Sequence, residues 1–272
     1  MTLSTDTSST ERQPILSARS LGHAYGQRVV LQGLDFDVAA GEFLSIVGPS
    51  GVGKTTLLQC LTGLQAPTKG EVHFEGRKIG RTPPEGLAIV FQDYRSSLMP
   101  WLKVVDNVAL PLKSAGVGKR ERTEIAAKAL AEVGLAGYER SYPWQLSGGM
   151  QQRVAIARAL AFRPRAIIMD EPFASVDAQT RADLEDLVLR LKETHGITIL
   201  LVTHDIDEAV YLADRILVLA GKPGRIADLI EVALPSPRDQ ISTKAEPEFA
   251  TLRARAYTLI KQGGNVPAAA RP

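Results

Sequence analysis

The sequence predicts an α/β fold built on a parallel β-sheet, and three observations support this prediction. The apolar run FLSIV leads into the glycine-rich stretch GPSGVGKTT, which opens onto the helical pattern TTLLQCLTGL. Two later runs, RAIIMDEP and ITILLVTH, are typical of strands that are covered on both faces of a parallel sheet. A helical pattern separates these two runs, and alternation of strands with helices favours parallel pairing.

The N-terminal third of the chain is predicted to be rich in strands. Residues 1–14, MTLSTDTSSTERQP, are polar and have little apolar surface to bury, so they are expected to form a disordered leader. The strand-like runs LSARSLGHAY, RVVLQGLDFDV and EFLSIVG follow, with glycines between them. After the first helix, a second strand-rich stretch extends from GEVHFEGRKI to GLAIVFQ.

Residues from about 93 to 163 predict a helical subdomain inserted into this arrangement. They contain Pro-marked loops and two helical patterns, TEIAAKALAEVGL and RVAIARALAF. The second pattern comes directly after a serine and two glycines in LSGGMQQR. Flexible backbone before a helix is typical of anion sites, because unpaired N–H groups and the helix dipole favour negative charge. LSGGMQQR is therefore a second possible phosphate site.

Helices are also predicted in the C-terminal half. RADLEDLVLRLKETHG has an apolar face and a plausible C-cap at Gly196. DIDEAVYLADR begins with Asp205 and Glu208 at the spacing of a capping box, in which each side chain bonds the other residue's backbone N–H. Beyond residue 235, Pro-rich linkers precede one helical pattern, PEFATLRARAYTLIKQ.

Composition narrows the range of partners. The 272 residues carry a formal net charge of only +2 and no dense Lys/Arg run, so nucleic acid is not an expected partner. No stretch approaches the ~18 to 20 apolar residues that span a bilayer, and the N-terminus lacks the apolar core of a signal peptide. The one cysteine, Cys60, lies in an apolar run and predicts a buried structural thiol. Any membrane role is expected to come through a partner.

The stretch GPSGVGKTT fits the phosphate-binding loop pattern G-x-x-x-x-G-K-[ST] between a strand and a helix. Its backbone N–H groups are expected to face nucleotide phosphates, Lys54 to reach the β- and γ-phosphates, and Thr55 to bind Mg²⁺. A chance match is expected about once in a hundred chains of this length, and the flanking strand and helix lower that figure further. The predicted nucleotide-binding residues of this loop are Gly48, Pro49, Ser50, Gly51, Val52, Gly53, Lys54, Thr55 and Thr56.

The stretch AIIMDEP supplies two carboxylates at the end of a predicted strand. Successive strand residues point to opposite faces, so Asp170 and Glu171 are expected to differ in role. Asp170 is predicted to hold Mg²⁺ through its water shell, and Glu171 to polarise the water that attacks the γ-phosphate. The alternative, two solvated carboxylates at a strand end, loses weight beside a phosphate-binding loop.

From about Leu16 to Arg225 the chain resembles the ATP-binding subunit of an ABC transporter. Gln92 in VFQD matches the Q-loop, LSGGMQQR the signature motif, ASVD at 174–177 the D-loop, and His204 in VTHD the switch histidine. The resemblance implies a P-loop NTPase (RecA-like) core with a parallel sheet, an antiparallel β-subdomain and an inserted helical subdomain, all within residues 15–235. Residues 236–272 are expected to form a linker, a short helix and a tail.

The resemblance also implies that the chain acts as a pair. In this family two ATP-binding subunits meet head to tail, and each signature motif covers the ATP held by the other subunit. Ser147, Gly148 and Gly149 are then expected to contact the partner's ATP, and Asp177 to bridge the two sites. A homodimer that sandwiches two ATP molecules with Mg²⁺ follows. Met150 replaces the commoner glutamine of the signature and is assigned no phosphate contact.

Three further roles come from the resemblance. Gln92 is expected to sense Mg²⁺ and the attacking water, and to relay the state of the site to a membrane partner. His204 is expected to hold the γ-phosphate and orient Glu171. Tyr25 matches the aromatic residue that stacks on adenine, although packing on the β-subdomain is nearly as good an interpretation.

Within the ABC transporter family, the chain resembles one group in particular. It is similar to importer ATPases of the nitrate/sulfonate/taurine group, which work with a separate membrane permease and a substrate-binding protein. The stretches that carry this similarity are LMPW with NVAL, LSGGM and ADRILVLAGKPGRI. Leu98, Met99 and Trp101 would form an apolar patch for the permease or belong to the subdomain core. Peripheral attachment to the cytoplasmic face of the membrane is expected. The alternatives are an ABC ATPase for another solute or for export, a soluble non-transport ABC ATPase, and a P-loop kinase.

Overall fold

The strand patterns produce two β-sheets in the computed structural model, which describes residues 14–263. The predicted leader, residues 1–14, and the end of the predicted tail therefore lie largely outside the described residues. The strands of residues 14–263 are β1 (Leu16–Tyr25), β2 (Arg28–Val38), β3 (Phe43–Val47), β4 (Lys69–Phe74), β5 (Arg77–Lys78), β6 (Leu87–Val90), β7 (Ala166–Asp170), β8 (Thr198–Val202), β9 (Arg215–Ala220) and β10 (Arg225–Glu231).

The helices alternate with these strands and form most of the segment between β6 and β7. In the same residues they are α1 (Lys54–Thr62), α2 (Tyr94–Ser97), α3 (Val104–Ser114), α4 (Lys119–Glu132), α5 (Gly148–Ala161), α6 (Ala178–His195), α7 (Ile206–Leu212), α8 (Ser242–Ala245) and α9 (Pro247–Gly263). The helices α2 to α5 make up the helical subdomain, as predicted.

The larger sheet has six strands in the order β10-β9-β3-β8-β7-β6. All neighbouring pairs are parallel except β10 with β9. Ile46, Val202 and Asp170 are neighbours across β3, β8 and β7, and Val90 pairs with Met169 one residue earlier. Because parallel strands end at the same edge, this register brings the residues that follow all four strands together.

The parallel sheet is buried on both faces. Along β8, Ile199 and Leu201 pack in an apolar cluster with the helical subdomain, α6 and α7, whereas Leu200 and Val202 pack in a second cluster with α1. The second cluster includes the antiparallel sheet of order β2-β1-β4-β5. Because side chains alternate along each strand, one face of the sheet packs on the helical subdomain and the other face packs on the antiparallel sheet.

The structure differs from the sequence patterns at two helices of this subdomain. Helix α3, which neither of the two helical patterns covers, spans Val104–Ser114 with Pro111 inside it. Its buried Asn107 donates to the carbonyl oxygens of Met99, Leu102 and Lys103 (3.1, 3.2 and 3.2 Å) and ties the preceding loop to the helix. The signature glycines do not precede α5 as flexible loop; the helix begins at Gly148.

The buried middle of β8 allows a direct test of the core. Leu200 is fully buried, so Leu200→Ala should lower the free energy of unfolding by about 2 to 5 kcal/mol through lost burial and a cavity. Leu64, which is 49% exposed, provides the control, because Leu64→Ala removes the same atoms from water-facing surface. Urea titration followed by circular dichroism measures both. Equal effects of the two substitutions would contradict the assignment of β8 to the core.

Candidate functional site

The phosphate-binding loop connects β3 to α1 and has the backbone shape that its glycines predict. Gly51 and Gly53 adopt positive φ angles of 75° and 111°, a region that side chains disfavour. A Cβ on Gly53 would also lie 2.6 Å from Leu31 Cδ2, in β2. The antiparallel sheet therefore packs directly on the loop and fixes its backbone. The start of α1 then presents its free N–H groups to the concave side.

Lys54 stands at the beginning of α1 with its ammonium group inside the loop. The residue is 7% exposed, and Nζ donates a hydrogen bond to the carbonyl oxygen of Gly48 at 2.8 Å. Burial lowers the pKa of Lys54, while the charges of Glu171 and Asp170 act in the opposite direction. The loop thus holds a partly desolvated cation opposite two carboxylates, a charge arrangement suited to phosphate.

The two carboxylates, Asp170 and Glu171, lie at the end of β7. Burial raises the pKa of Asp170, the charge of Glu171 raises it further, and Lys54 opposes both. The regular strand ends at Asp170, and Glu171 has a left-handed φ of 42° while its N–H still donates to Val202 O at 2.8 Å. A backbone bend, rather than strand alternation alone, therefore sets the direction of Glu171. Non-glycine residues in this conformation are strained and recur at functional sites.

Gln92, Glu171 and His204 meet at one carboxylate oxygen. Glu171 Oε2 accepts a hydrogen bond from Gln92 Nε2 at 3.2 Å and lies 3.0 Å from His204 Nδ1. The three residues come after β6, β7 and β8, so the parallel register explains why they converge. The structure brings together all three residues that the sequence predicts to be catalytic.

The donor set near this cluster fits Mg²⁺. Thr55 follows Lys54 in the first turn of α1, Asp170 is half-buried at the strand end, and Gln92 offers an amide oxygen. Within residues 14–263, no three His, Cys, Asp or Glu side chains form a metal cluster. Mg²⁺ prefers oxygen ligands and is held in nucleotide sites by one or two protein groups together with phosphates. The residues present therefore suit an ion that arrives with the nucleotide.

The signature residues lie at the start of α5. Ser147 is the N-cap residue, and its Oγ accepts a hydrogen bond from Met150 N at 3.3 Å. A Cβ on Gly149 would lie 2.3 Å from Thr180 Cγ2, so this glycine allows close packing against α6. Between residues 14 and 263, no hydrogen bond joins Ser147, Gly148 or Gly149 to the phosphate-binding loop. Gly148 instead lies beside Tyr94 and Arg95, whereas Gly53 lies beside Leu31, so the two predicted phosphate sites have different surroundings within one chain.

Asp177 and Tyr25 have partners within the chain. Asp177 caps α6 by accepting hydrogen bonds from Thr180 N and Oγ1 at 3.0 and 2.7 Å, and these bonds lower its pKa. Tyr25 donates to Gln65 Oε1 at 2.8 Å and lies edge-on against His23. The ring of Tyr25 is still about half exposed at the end of β1.

The predicted apolar patch is divided by the structure. Leu98 is buried in the subdomain core, whereas Trp101 is 71% exposed. Next to α2, Gln92, Tyr94, Arg95 and Ser175 line an open cavity of about 400 Å³. Met99 is partly buried, so Trp101 is the one residue of the predicted three that presents a large exposed apolar side chain.

Sequence reasoning missed a group of polar residues beside the switch histidine. Thr203 and Asp205 flank His204, and both belong to hydrogen bonds or ion pairs with Glu208 and Arg181. The sequence signal that could have identified these residues was their position next to His204 in VTHDIDEA. The pairing with Arg181, on a different helix, depends on tertiary structure. None of the helices between residues 14 and 263 combines the length and hydropathy that crossing a bilayer requires.

Comparison with protein families agrees with the geometry. The family model described as ABC transporter matches residues 31–174. An uncharacterized ABC transporter ATP-binding protein from Methanocaldococcus jannaschii is 46% identical over 237 residues, covering 87% of this chain and 86% of the relative. The aliphatic sulfonates import ATP-binding protein of Xanthomonas axonopodis pv. citri is 46% identical over 228 residues, covering 82% and 88%. The bicarbonate transport ATP-binding protein of Synechocystis is 41% identical over 240 residues, which are 87% of this chain and 36% of that relative.

Solved structures show the same fold. A dimeric ATP-binding cassette in a post-hydrolysis state, bound to ADP and Pi, has a TM-score of 0.70 and 33% identity, covering 80% of this chain and 98% of that one. CbiO1 from Clostridium perfringens, part of the ABC transporter complex cbiONQ, has a TM-score of 0.76 and 27% identity, covering 92% and 98%.

The close packing of Gly53 leads to a test of the loop. Gly53→Ala should abolish ATP binding, because the added Cβ meets Leu31 and the backbone conformation disfavours it. Gly80→Ala is the matched control, since Gly80 has open space around it and no positive φ. Equilibrium binding of a fluorescent ATP analogue to the full-length chain measures both. Wild-type affinity in Gly53→Ala would show that the loop tolerates a different backbone.

Proposed function

The chain belongs to the ABC transporter family as an ATP-binding subunit that couples ATP hydrolysis to transport, and from this premise we propose that it powers an importer. The observation that carries the proposal is the identity of 46% with an aliphatic sulfonates import ATP-binding protein, over 88% of that relative's length. The proposed solutes are small anionic or organic nutrients such as nitrate, sulfonates or taurine. Similarity to a bicarbonate transport ATP-binding protein supports a small anion in the same way.

The proposed chemistry is hydrolysis of ATP by an activated water. The loop 48–56 binds the phosphates, with Lys54 leaving the Gly48 carbonyl for a phosphate oxygen. Thr55, Asp170 and Gln92 would hold Mg²⁺, which would neutralise phosphate charge when bound. Glu171 polarises the attacking water as general base, and its short contact with His204 orients it. His204 then contacts the γ-phosphate.

A second copy of the chain is proposed to complete each site. The different surroundings of the signature motif and the phosphate-binding loop within one chain support this, because no hydrogen bond joins the two among the described residues. In a C2 pair, Ser147, Gly148 and Gly149 cover the ATP of the partner subunit, and Asp177 lies between the two sites. Tyr25 stacks on the adenine. The dimeric cassette bound to ADP and Pi provides the structural parallel.

An integral membrane permease is the proposed second partner, with the chain attached peripherally at the cytoplasmic face. The cavity beside Gln92 supports this, because Gln92 also contacts Glu171 and so links that surface to the reacting centre. Trp101 adds an exposed apolar side chain of the kind found in interfaces. A substrate-binding protein delivers the solute to the permease without contacting this chain.

Glu171→Gln tests the general-base assignment. The amide keeps the size of the side chain but cannot accept the proton of water, so hydrolysis should fall at least about 100-fold while ATP binding persists. The variant should accumulate as an ATP-bound dimer, measured by size-exclusion chromatography and phosphate release. Glu193→Gln, on the exposed side of α6, serves as the control. Wild-type turnover by Glu171→Gln would refute the assignment.

Purification of the chain from its own membranes, with the proteins that accompany it, tests the import proposal. The complex and its substrate-binding protein, reconstituted in liposomes, should accumulate one of taurine, nitrate or bicarbonate when ATP is present on the side of the ATPase. ATP-driven movement of solute in the opposite direction would show an exporter, and binding to ribosomes or DNA without a membrane partner would exclude transport.

A further inference from the structure

Glu208 does not make the capping box that the sequence predicts. Asp205 caps α7 as expected, with Oδ1 accepting from the N–H groups of Asp207 and Glu208 at 2.9 and 3.2 Å. The reciprocal bond is absent, because the N–H of Asp205 donates instead to Thr203 Oγ1 at 3.0 Å. The carboxylate of Glu208 is therefore free for other partners.

Those partners lie on both sides of the switch histidine. Thr203 Oγ1 donates to Glu208 Oε2 at 2.7 Å, and Arg181 Nε lies 3.6 Å from Glu208 Oε1. Arg181 also donates to Asp205 Oδ2 at 3.1 Å. Glu208 is only 4% exposed, and burying a carboxylate costs free energy because the group loses its contacts with water. Solvation therefore does not account for the position of Glu208 in this network.

The network fixes the turn on which His204 stands. Thr203 directly precedes His204, and Asp205 directly follows it. Thr203 is hydrogen-bonded to Glu208, Asp205 is paired with Arg181, and the N–H of Asp205 donates to the Thr203 hydroxyl. The side chain of His204 is itself 59% exposed, so packing does not fix its position. The distance of 3.0 Å from His204 Nδ1 to Glu171 Oε2 therefore depends on the backbone of this turn.

We propose that Glu208 is a positioning residue for ATP hydrolysis, which acts through Thr203 and Arg181 to keep His204 on Glu171; this rests on the roles proposed above for His204 and Glu171. The network also reaches the segment after Glu171, because Arg181 N donates to the carbonyl oxygen of Asp177 at 2.9 Å in the first turn of α6. The turn of the switch histidine and the cap of α6 are thus one connected unit.

Because Glu208 acts through its charge, the positioning of His204 should depend on pH. Burial raises the pKa of Glu208 to about 7; Thr203 and Arg181 lower it, while Asp205 and Glu185 raise it. Of the other elements packed on α7, β3 has no titratable residue, and α9 brings Arg253 to within 3.6 Å of Asp207. The ionised form attracts Arg181, so positioning is complete above about pH 8 and weakens as the pH falls through 7.

Glu208→Gln in the full-length chain tests the proposal. The amide oxygen still accepts from Thr203, but the attraction to Arg181 is lost. We expect kcat to fall about tenfold with KM for ATP within about twofold of wild type, because misplacement of a catalytic group affects turnover more than binding. The ratio of wild-type to variant kcat should be largest at pH 8 and decrease toward pH 6.

The matched control is Glu42→Gln. Glu42 is another buried carboxylate, paired with Arg215 at 2.6 Å, but it precedes β3 at the opposite edge of the sheet. This variant should lose thermal stability and keep its kcat. Wild-type kcat in Glu208→Gln, or a pH-independent ratio, would overturn the proposal.

Thr203 gives an independent measurement, which decides the matter if Glu208→Gln does not fold. Thr203→Val removes the hydroxyl that donates to Glu208 and should lower kcat, whereas Thr203→Ser keeps the hydroxyl and should retain it. Equal kcat in the two variants would show that this hydrogen bond does not position His204.

Discussion

Parallel pairing of β3, β8, β7 and β6 is the constraint on which the site depends. Their register places the residues that follow all four strands at one edge of the sheet. The phosphate-binding loop, Glu171, His204 and Gln92 meet there although they are far apart in sequence. Apolar clusters on both faces hold the strands, so the site is supported by the whole core. Ligand sites at the carboxyl edge of a parallel sheet follow from this geometry.

The charges at this edge also follow from burial. Lys54 faces Asp170 and Glu171 from inside the loop, and burial lowers the pKa of the lysine and raises that of Asp170. A nucleotide phosphate with a cation would satisfy both groups, because it would bring negative charge to Lys54 and positive charge to the carboxylate. The loop and the carboxylates are therefore complementary to the ligand. In the proposed dimer, the signature motif of the partner subunit supplies further contacts to the same nucleotide.

Sequence reasoning succeeded where local chemistry determines the structure. The glycine angles of the phosphate-binding loop, the cap of α6 at Gly196 and the buried Cys60, whose pKa burial raises to about 11, were all readable from neighbouring residues. It failed where a distant partner decides. Arg181, which lies on another helix, pairs with Glu208 together with Thr203, and Glu208 does not make its expected cap. The pattern alone did not contain these tertiary contacts.

The central claim is that each chain supplies half of a composite site, and mixing two inactive variants tests it most directly. Lys54→Ala disables the phosphate-binding loop, and Ser147→Arg blocks the signature motif without touching that loop. Each variant alone should be inactive. In an equal mixture, half of the dimers contain one intact site, so ATPase activity should return to roughly a quarter of wild type. A mixture as inactive as its components would show that the loop and the signature act within one chain.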